Sequence, residues 1–222
     1  MKTFLPIVAL LTFSFLSAQE PSEILVIEKG TWNLTGNASL SFEGNKSNYN
    51  QLQNVSENSS HYLVLAPSFG YALKNDIVIG VGLEYGNQKG ENSNTGFDTD
   101  NRYTNKNQSI GLTPYIRGYK GIGKQLSLYL QAEAGYSRFW NTSNQNGEDS
   151  NNDVKGNNVF IGIRPGITYF LNKKLAIEST IGSLSYSFGD RKPEEDRDSY
   201  SKSTNFSVAL VSDLFFGIAY YF

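Results

Sequence analysis

Residues 32–42 read Trp-Asn-Leu-Thr-Gly-Asn-Ala-Ser-Leu-Ser-Phe. Trp32, Leu34, Gly36, Ala38, Leu40 and Phe42 fall on one side of an extended chain, and Asn33, Thr35, Asn37, Ser39 and Ser41 fall on the other. A period of two belongs to a strand, whose successive side chains point to opposite faces. The alternation recurs at 63–73, where Leu63, Leu65, Pro67, Phe69, Tyr71 and Leu73 share a face, and at 77–86. Five more segments follow at 107–119, 125–138, 157–170, 175–188 and 204–222. Each reaches the roughly 9–11 residues that a tilted strand needs to cross a bilayer. The pattern predicts an all-β fold, an eight-stranded antiparallel up-and-down transmembrane β-barrel.

The connections alternate in length. Short turns are expected at Lys74-Asn75-Asp76, Lys120 to Lys124 and Leu171 to Lys174; long polar links are expected at 43–60, 87–106, 139–156 and 189–203. Segregating short turns to one rim and long loops to the other is how outer-membrane barrels are built. The strands between the long links are too short to form separate cores, so the links join one domain. Proline recurs inside the second, fourth and sixth strands, at Pro67, Pro114 and Pro165. Proline removes a ladder donor, and these three are read as bulges or ladder defects on the lipid side.

The first residues predict export. Lys2 is followed by an almost wholly apolar run from Phe4 to Leu16, and Ser17-Ala18-Gln19 offers a cleavage point. That is the form of a secretory signal. It assigns residues 1–18 to a signal peptide and 19–222 to the barrel. The 222-residue chain has a net charge of −2 and no cysteine. The near-neutral balance gives no reason to expect nucleic acid, and disulfides and thiolate metal sites are excluded. No cofactor is expected. With no second apolar run long enough for a helix, crossing a membrane requires a closed barrel.

The two strand faces differ. One carries Leu, Ile, Val and aromatics; Trp32, Tyr71, Tyr169, Tyr220 and Phe222 gather at the short-turn end, Tyr85 and Tyr136 at the other. Such girdles mark the two membrane interfaces. The other face carries Gly, Ser, Thr and a sparse charge set on strands three to eight: Glu84, Arg117, Glu133, Arg164, Glu178 and Asp213. The interior of an eight-stranded barrel is just wide enough to be filled by side chains, and charges there must pair. A salt-bridged plug is expected, with Glu133–Arg164 the foremost pair by position.

The chain stops at Phe216-Gly217-Ile218-Ala219-Tyr220-Tyr221-Phe222. Gly217, Tyr220 and Phe222 match the carboxyl-terminal pattern read by the outer-membrane assembly machinery, with Phe215 where a polar residue is usual. Leu65 to Glu84, with Pro67, Phe69-Gly70-Tyr71 and Ile79-Gly80, resembles the first hairpin of the outer-membrane β-barrel domain proteins common in Bacteroidota. Tyr115-Ile116-Arg117-Gly118-Tyr119, Glu133-Ala134-Gly135-Tyr136 and Pro165-Gly166-Ile167-Thr168-Tyr169-Phe170 extend the resemblance over nearly the whole mature chain. More distantly the chain is similar to small barrels such as the OmpA transmembrane domain and OmpX. The resemblance implies fold and an outer-membrane location. It brings no catalytic residues with it.

His61 is the only histidine. Ser59, Ser60 and His61 sit near the long-link end of strand two, but a nucleophile and base also need an orienting group, and none is evident. Asp149, Asn151 and Asp153 echo the start of a calcium loop, yet Val154 replaces its glycine and Phe160 its closing glutamate. The reading is therefore a non-enzymatic membrane barrel, structural or surface-interacting through its long links. A narrow porin-like channel and a lipid A-modifying enzyme are the alternatives. Expected partners are outer-membrane lipids, the assembly machinery and a surface ligand or protein met by the links. Deleting Phe222 is predicted to leave most of the exported chain unassembled; the fraction running as a compact, heat-modifiable band in unboiled gels measures this.

Overall fold

The structure is a computed structural model and describes residues 24–49, 54–95, 100–149, 153–193, 200–210 and 216–222. Its strands are β1 (Trp32–Tyr49), β2 (Asn54–Lys74), β3 (Ile77–Thr95), β4 (Asp100–Gly121), β5 (Leu126–Gln145), β6 (Glu148–Asp149), β7 (Val154–Phe170), β8 (Leu175–Thr180), β9 (Gly182–Pro193), β10 (Ser201–Leu210) and β11 (Phe216–Tyr221). All pair antiparallel, each with its chain neighbour around a ring. β8 and β9 line up as one wall against β7, and β10 and β11 as the next, against β9 and β8. With the two-residue β6 set aside, eight walls remain. The ring closes where Asn33–Gly36 of β1 pairs with Ile218–Tyr221 of β11. Trp32 and Phe222 finish the seam by exchanging backbone bonds, Trp32 N to Phe222 O at 2.8 Å and Phe222 N to Trp32 O at 2.9 Å.

The short turns fall where the sequence places them. Asp76, with φ of 62°, makes the tight β2–β3 turn. The long links do not, and here the sequence reading is corrected. β1 and β2 pair without interruption from Trp32↔Tyr71 to Tyr49↔Asn54, and β3 and β4 from Ile77↔Gly118 to Thr95↔Asp100. Most of 43–60, 87–106, 139–156 and 189–203 is therefore strand rather than loop. Outside lipid a strand needs no apolar face, because its ladder bonds supply the cohesion. Hydropathy alternation reports only the part of each strand that touches the bilayer.

The prolines behave as ladder defects rather than as bulges of their own strands. The β2–β3 ladder runs to Leu65↔Tyr85 and resumes at Ser68↔Gly82 in the same register, skipping Pro67. The β4–β5 ladder likewise skips from Leu112↔Tyr136 to Tyr115↔Glu133 around Pro114. Opposite Pro165 the register does shift, but the extra residue is Ile181 on the partner wall, whose N–H donates to Pro165 O at 3.0 Å. In each case a missing N–H costs one bond on one side only.

Inside and outside follow the expected parity. Leu34, Leu40, Leu83, Ile110, Ile116, Leu130, Ile161 and Ile218 are exposed on the outer face. Trp32 stacks on Phe69 at 4.9 Å and Tyr220 on Phe222 at 5.8 Å, forming part of the short-turn girdle. The buried cluster lies inside the ring at that same end: Ala72, Val78, Tyr119, Tyr129, Phe170, Ala176, Ala219 and Tyr221, with Ile27. Ile27 belongs to a strap, residues 24–30, that crosses the mouth between two short turns. Leu25 N donates to Gly123 O, Ile27 N to Asp76 Oδ1 and Asp76 N to Ile27 O, each at 2.9 Å. Residues 1–18, read as an export signal, lie outside the described residues.

Candidate functional site: the charged lumen

Arg117 stands near the short-turn end of β4 with its side chain inward and buried. Its Nε donates to Gln131 Oε1 at 2.8 Å, and one terminal nitrogen donates to Tyr119 Oη at 2.9 Å and to Glu178 Oε2 at 2.7 Å. The guanidinium also lies over the rings of Tyr129 at 4.3 Å and Tyr115 at 5.3 Å. Delocalised charge, several donors and a flat stacking surface are what arginine offers and lysine does not.

The contacts run on in both directions. Glu178 Oε1 accepts from Tyr221 Oη at 2.8 Å and Thr168 Oγ1 at 3.4 Å, and Tyr221 Oη meets Tyr119 Oη at 3.2 Å. On the other side Gln131 Nε2 donates to Glu133 Oε2 at 2.7 Å, and Arg164 Nε donates to Glu133 Oε1 at 2.6 Å. A continuous polar chain thus crosses the lumen from Arg164 on β7 through β5 and β4 to β8 and β11. Its two cations and two anions cancel. Side chains of Arg117 and Glu178 are only 7% and 5% exposed, whereas Arg164 is 47% exposed and Glu133 3%. The inner pair is therefore the desolvated one, and the outer pair has one end in water.

Of the charges singled out from sequence, Arg117, Glu133, Arg164 and Glu178 come together in this chain. Glu84 does not join it. It lines a cavity of about 140 Å³ whose wall also includes Arg117, Glu133, Arg164 and Glu178. Asp213 lies outside the described residues. The reading that aromatics keep to the lipid side needs correction, because Tyr115, Tyr119, Tyr129 and Tyr221 are buried inside. Their signal was parity: Tyr115 and Tyr119 flank Arg117 at spacing two and must share its face. The rings need room, and glycine gives it. A Cβ on Gly166 would run into the Tyr129 ring, and one on Gly80 into Tyr115.

The carboxyl-terminal residues have structural accounts too. Gly217 faces inward, where a Cβ would collide with the Asn37 amide. Tyr220 and Phe222 face outward at the girdle, and Phe222 contributes the closing backbone bonds. His61 is exposed on the outer face, edge-on to Phe42 at 5.3 Å. Asp153 Oδ1 accepts from Ser143 N at 3.3 Å, and no metal-binding group of acids and histidines forms among the described residues.

Beyond the apolar band a second charge cluster sits on the outer face. Glu91 takes Lys89 Nζ at 2.5 Å and an Arg102 terminal nitrogen at 2.6 Å, and Lys46 pairs with Glu57 nearby. Hydrogen bonds from Lys89 and then Arg102 hold the Glu91 carboxyl well below the usual carboxylate range, at about 2. Arg102 is raised above its ordinary value by the same carboxylate.

Residues 7–212 match the family model of the outer membrane protein beta-barrel domain. No curated protein matches the chain in sequence. Among solved structures, it is similar to OprG of Pseudomonas aeruginosa at 14% identity, covering 88% of this chain and 97% of that one with a TM-score of 0.47. A major outer membrane protein of Thermus thermophilus is 13% identical, with coverages of 87% and 99% and a TM-score of 0.49. Neisserial surface protein A is 15% identical, with coverages of 86% and 99% and a TM-score of 0.40.

Replacing Arg117 with Met is predicted to strand Glu178 and Gln131 and to cost about 3–5 kcal/mol, the usual effect of breaking a buried pair. Arg164→Met should cost less, because the arginine is half in water. Urea unfolding of the two variants in detergent or lipid vesicles compares them. The Glu91 cluster makes a pH prediction. A lowered folded pKa gives stabilisation that is present above the unfolded value of about 4.5 and is lost as pH falls through about 2. The Glu91 carboxyl resonance should therefore titrate near 2 in the wild type and move upward toward 4.5 in Arg102→Gln.

Proposed function

Because the chain belongs to the outer membrane protein beta-barrel domain family, we propose that it is a sealed outer-membrane barrel with a structural or surface-contact role and no general pore. The short turns and the carboxyl end lie on the periplasmic side, and the long strand ends stand outside the cell. The observation that carries the reading is the polar chain from Arg164 to Tyr221. It links side chains from five strands across an interior that an eight-stranded ring leaves barely wide enough for them.

The strap reinforces the seal. Ile27 is 4% exposed and packs into the buried cluster at the periplasmic mouth. The cavity beside Glu84 is lined by Arg117, Gln131 and Glu178, which side-chain hydrogen bonds hold to one another and to Tyr119. Among the described residues, what projects outward is a paired sheet rich in Asn, Ser and Thr. It includes Asn92 Nδ2 donating to Asn58 Oδ1 and Asn141 Nδ2 to Asn107 Oδ1, both at 2.6 Å. A paired wall of this kind presents backbone-ordered polar side chains to a partner, which lowers the ordering cost of contact.

In planar bilayers the refolded protein is predicted to show no steady large openings at neutral pH. The double variant Arg117→Ala/Tyr221→Ala, which removes the hub and the buried tyrosine that meets Glu178, should conduct. Steady large conductance in the wild type would reject the sealed reading.

A further inference from the structure

The polar chain across the lumen is neutral, but it does not use all of its donors. Arg164 gives only Nε, to Glu133 Oε1 at 2.6 Å, and its terminal nitrogens make no hydrogen bond among the described residues. Its side chain is half-exposed, so those N–H groups meet solvent inside the ring. Arg117 gives Nε and one terminal nitrogen, and its other terminal nitrogen makes no hydrogen bond among the described residues either. A guanidinium presents its N–H groups as a planar fork that matches a carboxylate with two parallel bonds.

Glu84 brings the opposite charge. It stands on the inward face of β3, exposed, with no ion pair or hydrogen bond among the described residues. Arg117 pairs with Glu178 and Arg164 with Glu133, so Glu84 is the charge left over. Arg117, Arg164 and Glu84 all line the one cavity of about 140 Å³. Its wall is otherwise rich in short side chains, among them Ala66, Ser68 and Thr113, with Gly82. Packing does not demand a glycine there, because a Cβ on Gly82 would find its nearest neighbour at 3.6 Å, an ordinary contact. The missing side chain leaves room in the cavity instead.

Access is from the long-strand end. Glu84 lies farther from the short turns than Arg117 does, and the buried cluster with Ile27 closes the other mouth. Farther out on β2 the inward Tyr62 is exposed, so solvent enters the ring at that end. One cavity therefore holds free guanidinium edges and a free carboxylate, and a single small charge satisfies only one of them.

We propose that this cavity binds a short zwitterion, its carboxylate on the free guanidinium edges of Arg164 and Arg117 and its ammonium on Glu84. The site is a receptor reached from outside the cell, and the sealed end makes it blind. The inference rests on the sealed reading given above for its direction of access, and adds the ligand class. Hydrogen bonds between charged partners are stronger than neutral ones, and a low local dielectric strengthens them further.

The test titrates the full-length protein, refolded in detergent and checked for its compact unboiled band, by isothermal calorimetry. Glycine, β-alanine and γ-aminobutyrate are the probes, with ethylamine and propionate as controls that carry one charge each. At least one zwitterion should bind at least about tenfold tighter than either control, the margin that one further charged hydrogen bond supplies. Glu84→Gln, which breaks no contact of the fold, should erase that margin while leaving propionate binding unchanged. Arg164→Lys, which keeps a cation for Glu133 but lacks the fork, should erase it too. Lys89→Gln on the outer face should keep it. No margin for any zwitterion, ethylamine binding as tightly as the zwitterions, or an unchanged margin in Glu84→Gln would overturn the proposal. Planar bilayers separate it from the seal. Steady conductance with the margin intact would reject the seal and keep the site, and a silent bilayer without the margin would reject the site and keep the seal.

Discussion

No water reaches the centre of a bilayer, so every backbone N–H and C=O there must find its partner within the protein. For a sheet that means closure, and here closure comes down to the short seam where β1 meets β11 and Trp32 exchanges bonds with Phe222. The rest follows from it. Eight walls closed on themselves enclose a narrow lumen, and a narrow lumen in low dielectric admits a charge only with its counter-charge. Arg117 and Glu178 meet that demand, and the tyrosines around them fill the space a bare ion pair would leave.

The distribution of polarity along the strands has the same origin. Where the outer face meets lipid it carries Leu, Ile and Val, while inward positions are free to be polar. Past the bilayer both faces meet water, and the ladder continues on Asn, Ser, Thr and Lys because backbone pairing does not depend on the side chain. The prolines fit the same logic. Each interrupts one ladder on one side, and at Pro67 and Pro114 the register resumes unchanged.

The lumen and the outer rim divide the electrostatics between them. Inside, Arg117, Arg164, Glu133 and Glu178 neutralise one another in one network. Outside, Lys89 and Arg102 share Glu91. The first arrangement seals the barrel, and the second presents charge to whatever surrounds it.

Much of this was legible in the chain. Period-two alternation gave the wall strands and their lipid face, because an alternating strand with one face in lipid cannot hide its register. The short turns were legible from their length, and the inward face was legible in its charges, four of which meet in one network. Three things were not. Strand ends beyond the membrane look like loops, since a ladder of Asn and Ser leaves no hydrophobic trace. The buried tyrosines look like girdle residues until their parity with Arg117 is followed. The partnering of Arg117 with Glu178, 61 residues away in the chain, depends on which walls the closed ring brings face to face. Sequence by itself determined that these strands alternate and what each face must meet. Only the tertiary structure decided which charges touch, because that is set by the closed ring across the lumen and not by spacing along any one strand.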